Sequence, residues 1–329
     1  MMDDVILQRN LEKLHREMGT KISEAMKDKS IVEIMRNADG RVWVDRLGKG
    51  MEVLCSLDET SALQMLGTIA HMLGTVINDR RPKVEGELPG DGSRVEGVIP
   101  PITESPVFNI RKKASAVFPL SEYVKTGRAE ENDHLLLRQA VKDRLNILVV
   151  GGTGTGKTTF SNAILHEMML ICPDHRVIIM EDTVELQCDM ENKVQMRTNE
   201  DLEIPVRMQD LLKISMRQRP DRIVVGEVRG KEALDMIKAW NTGHPGGLCT
   251  VHANSARAGL TRVEQLVSES SLGSMRDLIA EAINIVVFLV RDPHIGPKLH
   301  EIVAIRGVRN GEYIFEDLRC SGNTEEISV

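Results

Sequence analysis

Aromatic residues make up only 3% of this 329-residue chain: two Trp, two Tyr and five Phe. Its cores must therefore be filled by Leu, Ile, Val and Met, and few rings are left on which exposed bases could stack. Positive charge is also scarce. Lys and Arg number 42 against 49 Asp and Glu, for a formal net charge of −7. A surface built to wrap nucleic acid has the opposite balance. Cysteine is sparse and odd in number. Cys55, Cys172, Cys188, Cys249 and Cys320 are scattered and form no C-x-x-C pair, which gives no zinc or disulfide framework and fits a reducing compartment. His166-Glu167 opens like the zinc motif H-E-x-x-H, but Leu170 stands where the second histidine belongs. No run reaches the ~18 apolar residues that span a bilayer; the longest, INIVVFLV at 283–290, is short and interrupted by Asn284. The N-terminus carries Asp3 and Asp4 where a signal peptide needs positive charge. A cytoplasmic protein is expected, able to dock peripherally on a membrane complex.

The length suggests about two domains. In the first half, Val5, Leu7, Leu11, Leu14, Met18 and Ile22 recur at helical spacing over 5–28. IVEIMRNADGRVWVDR alternates around Asn37–Gly40, a hairpin signal. Ser61 is placed to cap a helix whose apolar face runs through Met65, Leu66, Ile69, Leu73 and Ile77. Two short strands flank Pro89-Gly90-Asp91-Gly92, and VFNIRKKA follows as an edge strand. This half reads as a small α+β domain. PLSEYVKTGRAEEND is polar and turn-rich, which places the boundary between residues 120 and 132, drawn at 125/126. Beyond a helix ending near Arg144 the pattern changes. LNILVV, RVIIM, RIVV and GLCTVH are short apolar runs separated by helical stretches, the signature of βαβ units with a parallel sheet buried on both faces. Closing strands are expected at 285–290, 301–305 and 313–316.

GGTGTGKTT lies between the strand LNILVV and a clear helix, with Gly151, Gly156, Lys157 and Thr158 at the spacing G-x-x-x-x-G-K-T. Main-chain N–H groups of such a loop and of the following helix N-terminus can wrap a triphosphate, because glycines admit the close approach and the helix dipole favours anions. The expected cradle is Gly151, Gly152, Thr153, Gly154, Thr155, Gly156, Lys157, Thr158 and Thr159. Lys157 would reach the β and γ phosphates, and the Thr158 hydroxyl would bind Mg²⁺. The dinucleotide pattern is excluded by the lack of its third glycine.

Hydrolysis needs more than a cradle. RVIIM runs into Glu181 and Asp182, which should lie at the ligand-binding edge of a parallel sheet. RIVV ends at Gly226, where an aspartate is usual, and then offers Glu227. His252 ends LCTVH at the same edge, placed to donate to a γ-phosphate. Arg111, Arg207, Arg217, Arg219 and Arg229 are candidates for stabilising developing phosphate charge.

GGTGTGKTT, EDTVEL, MRQRPDRIVVGEVRG and TGHPGGLCTVHAN resemble, in this order, the Walker A, Asp box, atypical Walker B and His box of the secretion traffic ATPases, and best of all their type IV branch. The resemblance covers essentially the whole chain, including NADGRVWVDR and VFNIRKKA. It implies an α/β protein: a RecA-like P-loop NTPase core (126–329) with a smaller α+β, PAS-like N-terminal domain (1–125), assembled as a homohexamer with ATP between the domains. It further implies that Lys157 and Thr158 hold phosphate and Mg²⁺, that Asp182 and Glu227 support the metal, and that Glu181 activates water. His252 would sense the γ-phosphate, and Arg111 and Arg229 would lie near the nucleotide. The implied partners are inner-membrane components of a type IV secretion or mating-pair apparatus. Type II relatives carry a four-cysteine zinc insert that the cysteines here do not allow. Two other functions fit the same loop: a nucleotide-gated docking scaffold with little turnover, and a nucleic-acid-translocating motor.

Overall fold

The computed structural model describes residues 2–46, 49–113, 117–199, 203–271, 273–292 and 294–319, without the side chains of 2–4; Cys320 lies outside them. The chain separates into two compact units, Met1–Ser115 and Ala116–Val329.

The first unit opens with α1 (Met2–Lys27), kinked at Gly19 (φ 72°), which buries Leu14 and Met18 before the kink and Ile22 and Ala25 after it. It continues with β1 (Ile31–Arg36), β2 (Arg41–Arg46), β3 (Gly50–Ser56), α2 (Glu59–Met72), β4 (Lys83–Glu87), β5 (Arg94–Val98) and β6 (Val107–Arg111). The strands form one antiparallel sheet in the order β3-β2-β1-β6-β5-β4. Two expectations are corrected here. VFNIRKKA is no edge strand: β6 pairs with β1 on one side and β5 on the other, because the long excursion after β2 returns the chain to the middle of the sheet. The cap of α2 is Asp58, whose carboxylate accepts from the Ser61 N–H at 2.9 Å; Ser61 lies inside the first turn, and a carboxylate suits the positive end of the helix.

The second unit contains α3 (Leu120–Lys125), α4 (Glu131–Lys142), β7 (Ile147–Gly151), α5 (Lys157–Ile171), β8 (Val177–Glu181), β9 (Lys193–Arg197), α6 (Met208–Ser215), β10 (Arg222–Val225), α7 (Glu232–Asn241), β11 (Leu248–Val251), α8 (Ala256–Ser268), α9 (Arg276–Ala282), β12 (Ile285–Asp292), β13 (Gly296–Arg309) and β14 (Glu312–Asp317). The boundary at Ser115/Ala116 precedes the expected 125/126 because α3 packs into this unit. Leu120 and Tyr123 are buried, and the Tyr123 ring meets Phe160 of α5 edge-on with centroids 5.4 Å apart.

The sheet runs β14-β13-β12-β7-β11-β10-β8-β9, parallel from β12 to β9, with β13 and β14 antiparallel. Alternate strand residues feed two cores. Leu148 and Val150 of β7 join the core under α6 to α9, while Ile147 and Val149 join that of α3, α4 and α5. Each such side chain contributes roughly 1.5–3 kcal/mol on burial. The central strands are therefore apolar on both faces, which is why they read as continuous runs.

At the N-terminal rim of the strands sits Arg222, fully buried. Its guanidinium donates to Val141 O at 2.7 Å, Gly246 O at 3.1 Å and His175 Nδ1 at 3.1 Å. It thereby joins the end of α4, the start of β10 and the turn before β11.

Candidate functional site

The C-terminal rim carries the chemistry. Gly151 closes β7, and Gly156 caps α5 with a left-handed backbone (φ 81°). Gly154 is also left-handed, at φ 71°. These signs of φ favour glycine. Thr155 ties the loop by donating to Gly152 O at 2.9 Å.

Lys157 is 7% exposed. Its Nζ donates to Gly151 O at 2.9 Å and Gly152 O at 3.0 Å, and lies 3.2 Å from His252 Nδ1. His252 Nε2 in turn lies 3.2 Å from Glu227 Oε1. An ammonium can only donate, so the ring meets Lys157 as an acceptor, with Nε2 also 3.4 Å from Nζ and facing the Glu227 carboxylate. Walker A lysine, His-box histidine and Walker B glutamate thus form one chain of contacts, bringing together residues 157, 227 and 252. Glu227 Oε2 also accepts from Arg229 Nη2 at 2.8 Å. That bond, and then the charges of Glu227, Asp182 and Glu185, hold the Arg229 pKa above its ordinary value.

Where a Walker B aspartate is usual, Gly226 packs closely against Glu181. A Cβ on Gly226 would come within 2.9 Å of Glu181 Cγ on the neighbouring β8, and the acid appears one residue later. The Glu227 segment is held by Thr250 Oγ1 donating to Gly226 O at 2.8 Å.

Glu181 is 3% exposed. Its Oε1 accepts from the N–H groups of Glu185 and Leu186 at 2.9 and 2.8 Å, and its Oε2 from Gln195 Nε2 at 3.0 Å. Burial raises its pKa, against the pull of these donors. Oε1 thus fixes the Asp-box loop, and Oε2 ties Glu181 to Gln195 of β9. The carboxylate that meets the cradle is Glu185, whose Oε2 accepts from Thr158 Oγ1 at 3.2 Å. Glu185 belongs to the EDTVEL stretch, four residues past the strand-end acid Glu181, and that spacing is the sequence signal for it. Asp182 is exposed and accepts from Thr198 Oγ1 at 3.0 Å. Arg111 belongs to the first unit, where it pairs with Glu33 at 3.8 Å.

The donor set suits Mg²⁺ by its chemistry. Thr158 and Glu185 offer hard oxygens beside the loop, and Mg²⁺ takes one or two protein ligands with phosphate oxygens and water. Among the described residues no group of three or more His, Cys, Asp or Glu gathers as a metal cluster, and none is needed for that mode of binding.

The chain matches the family described as "Type II/IV secretion system protein" over residues 16–313. It is similar to the probable conjugal transfer protein TrbB of Sinorhizobium fredii, at 41% identity over 98% of this chain and 97% of that one. It is also similar to the type IV secretion system protein VirB11 of Bartonella quintana, at 32% identity over 85% of this chain and 92% of that protein. Among solved structures it shares the fold of the Legionella pneumophila ATPase DotB, with a TM-score of 0.59 and 18% identity over 91% of this chain and 80% of that one. Loop, Asp box, displaced Walker B acid and His box thus stand at one sheet rim in a chain that belongs to the Type II/IV secretion system proteins, the secretion traffic ATPases, within their type IV branch.

Proposed function

We propose that this protein is a Mg²⁺-dependent ATPase that works as a homohexameric ring and powers conjugative transfer or type IV secretion, by pilus assembly or substrate translocation. The observation that carries the reading is the Lys157–His252–Glu227 chain of contacts beside a phosphate loop. Lys157 and the loop amides hold the phosphates. Thr158, supported by Glu185, holds Mg²⁺, which supplies charge neutralisation at the β and γ phosphates. Glu227 orients the attacking water, and His252, bonded to both Lys157 and Glu227, registers loss of the γ-phosphate. Glu181 acts through the loop it fixes, and Asp182 and Arg229 complete the charge balance at the rim. Arg111 is assigned to the nucleotide from the N-terminal unit by family resemblance. The relatives' names, a conjugal transfer protein and a type IV secretion protein, support inner-membrane transfer machinery as the partner. No helix among the described residues is long and apolar enough to cross a membrane, which fits peripheral attachment on the cytoplasmic side.

A docking scaffold that binds ATP without turnover would have no use for Glu227 and His252 in this contact with Lys157. A nucleic-acid motor is disfavoured by the −7 net charge and the 3% aromatic content. The test is steady-state ATP turnover with Mg²⁺ on the full chain, alongside light scattering with and without ATP. Lys157→Ala should abolish turnover, and full activity in that variant would end the proposal. Glu227→Gln should retain ATP binding and lose about 10²–10⁴-fold in kcat, the usual contribution of a positioned base; a normal rate would remove Glu227 from the chemistry. DNA-stimulated turnover with a steep salt dependence would favour the nucleic-acid motor.

A further inference from the structure

The sequence leads one to expect a closing strand at 285–290. The structure carries that strand, β12, to Asp292 and returns it as β13 from Gly296. β12 lies beside β7 in register, with Leu289 opposite Gly151, so the chain leaves the sheet level with the first residue of the phosphate loop. Three glycines of that loop are fitted against this hairpin. A Cβ on Gly156 would lie 2.7 Å from Pro297 Cβ, one on Gly154 3.2 Å from Arg291 Nη1, and one on Gly151 2.9 Å from Leu289 O as well as against Thr155 of the loop itself. Asp292 Oδ1 accepts from the N–H groups of His294 and Ile295 at 2.8 and 3.1 Å, and Arg128 Nε donates to Ile295 O at 2.9 Å. The hairpin therefore presents an exposed guanidinium at the outer rim of the cradle, at a position set by the sheet itself.

Sheet order says which part of a ligand that guanidinium meets. β11, followed by His252, lies on one side of β7, and β10, followed by Glu227, lies beyond it. β12 lies on the other side. The groups assigned to the terminal phosphate and to water thus occupy one flank of the loop, and Arg291 occupies the opposite one.

We propose that Arg291 is a ligand-binding residue that grips the non-transferred diphosphate of the nucleotide, from the flank of the loop opposite Glu227 and His252. This rests on the nucleotide reading above. A guanidinium suits the role because its fixed fork matches phosphate oxygens and stays charged at any working pH. A contact made equally before and during phosphoryl transfer contributes to binding and not to the chemical step, so its loss falls on KM.

The experiment titrates ADP, and separately inorganic pyrophosphate, into the full chain and into Arg291→Ala and Arg291→Lys, with steady-state ATP kinetics on each. Arg291→Ala should weaken ADP and pyrophosphate by the same factor, about tenfold for one charged hydrogen-bonding group. kcat/KM should fall to match, with the loss in KM, and Arg291→Lys should recover part of it as a point charge. Unchanged ADP affinity in Arg291→Ala would overturn the proposal. So would weakened ADP with pyrophosphate unaffected, which would assign the side chain to base or sugar. A fall in kcat at constant KM would overturn it too, by placing Arg291 on the transferred phosphate. A wild-type chain that binds neither probe would overturn the nucleotide reading together with this inference, whereas normal wild-type binding and an unaffected variant would overturn this inference alone.

Discussion

Glu181 shows how a strand-end acid can be legible in sequence while its partners are not. Its position after RVIIM follows from strand geometry, and the sheet does deliver it to the functional rim. Its three N–H donors come from a loop and from β9, neither of which the sequence reading had located. Its pKa stands above the ordinary 4.5, chiefly because burial disfavours the charged form. Between the ordinary value and the raised folded one, the native state binds more protons than the unfolded chain, so native stability falls as pH rises through that window. Urea midpoints followed from pH 4 upward should therefore show the wild type losing ground to Glu181→Gln, which cannot titrate. A wild type that gains on the variant over that range would mean the carboxylate is held below its ordinary value. His252 and Glu227 were likewise legible from strand ends. The contact joining them to Lys157 was not, since it depends on β11 lying between β7 and β10.

At the scale of elements, close packing of helix on sheet makes its own predictions. Gly259 of α8 is buried, and a Cβ there would lie 2.5 Å from Val150 Cγ2 on β7. Gly259→Ala gains helix propensity of about 1 kcal/mol but overpacks the core beneath the phosphate loop's strand, at about 1–3 kcal/mol. A net loss of up to about 2 kcal/mol in urea unfolding is expected, and a clear gain in stability would show that the helix shifts freely. Helical and parallel-strand periodicities were readable because their burial patterns are strong. β3 and β9 were missed for the converse reason: β3 buries no residue fully, and β9 alternates between exposed and half-buried positions along one edge. Strand order in the first unit was beyond reach, because periodicity says which face is buried and nothing about which neighbour a strand finds. That is how β6 was mistaken for an edge.

Each of the two units carries its own core. That of the first gathers α1, α2 and one face of the sheet, from Leu14 to Ile110. A fragment of residues 1–115 should therefore fold alone, with a single cooperative thermal transition and dispersed amide resonances; a fragment without either would show that this core needs the rest of the chain. The order of motifs along the sequence made the second unit's architecture readable in advance, since each motif follows its own strand and parallel strands share a rim. Arg222 was hidden because the sequence presents it as one more surface arginine. The bonds it makes have a mechanical meaning for the molecule. A desolvated guanidinium does not lose its proton in any physiological range, and burial with neighbouring guanidiniums depresses the His175 pKa, which keeps that imidazole an acceptor. The remaining acceptors are the carbonyls of Val141 and Gly246, which acid does not touch, and the Cys172 Sγ at 3.4 Å. The end of α4, the segment before β8 and the turn before β11 are thus pinned together at one margin of the sheet by bonds that moderate acid leaves in place, while the phosphate-loop margin carries carboxylates and a histidine.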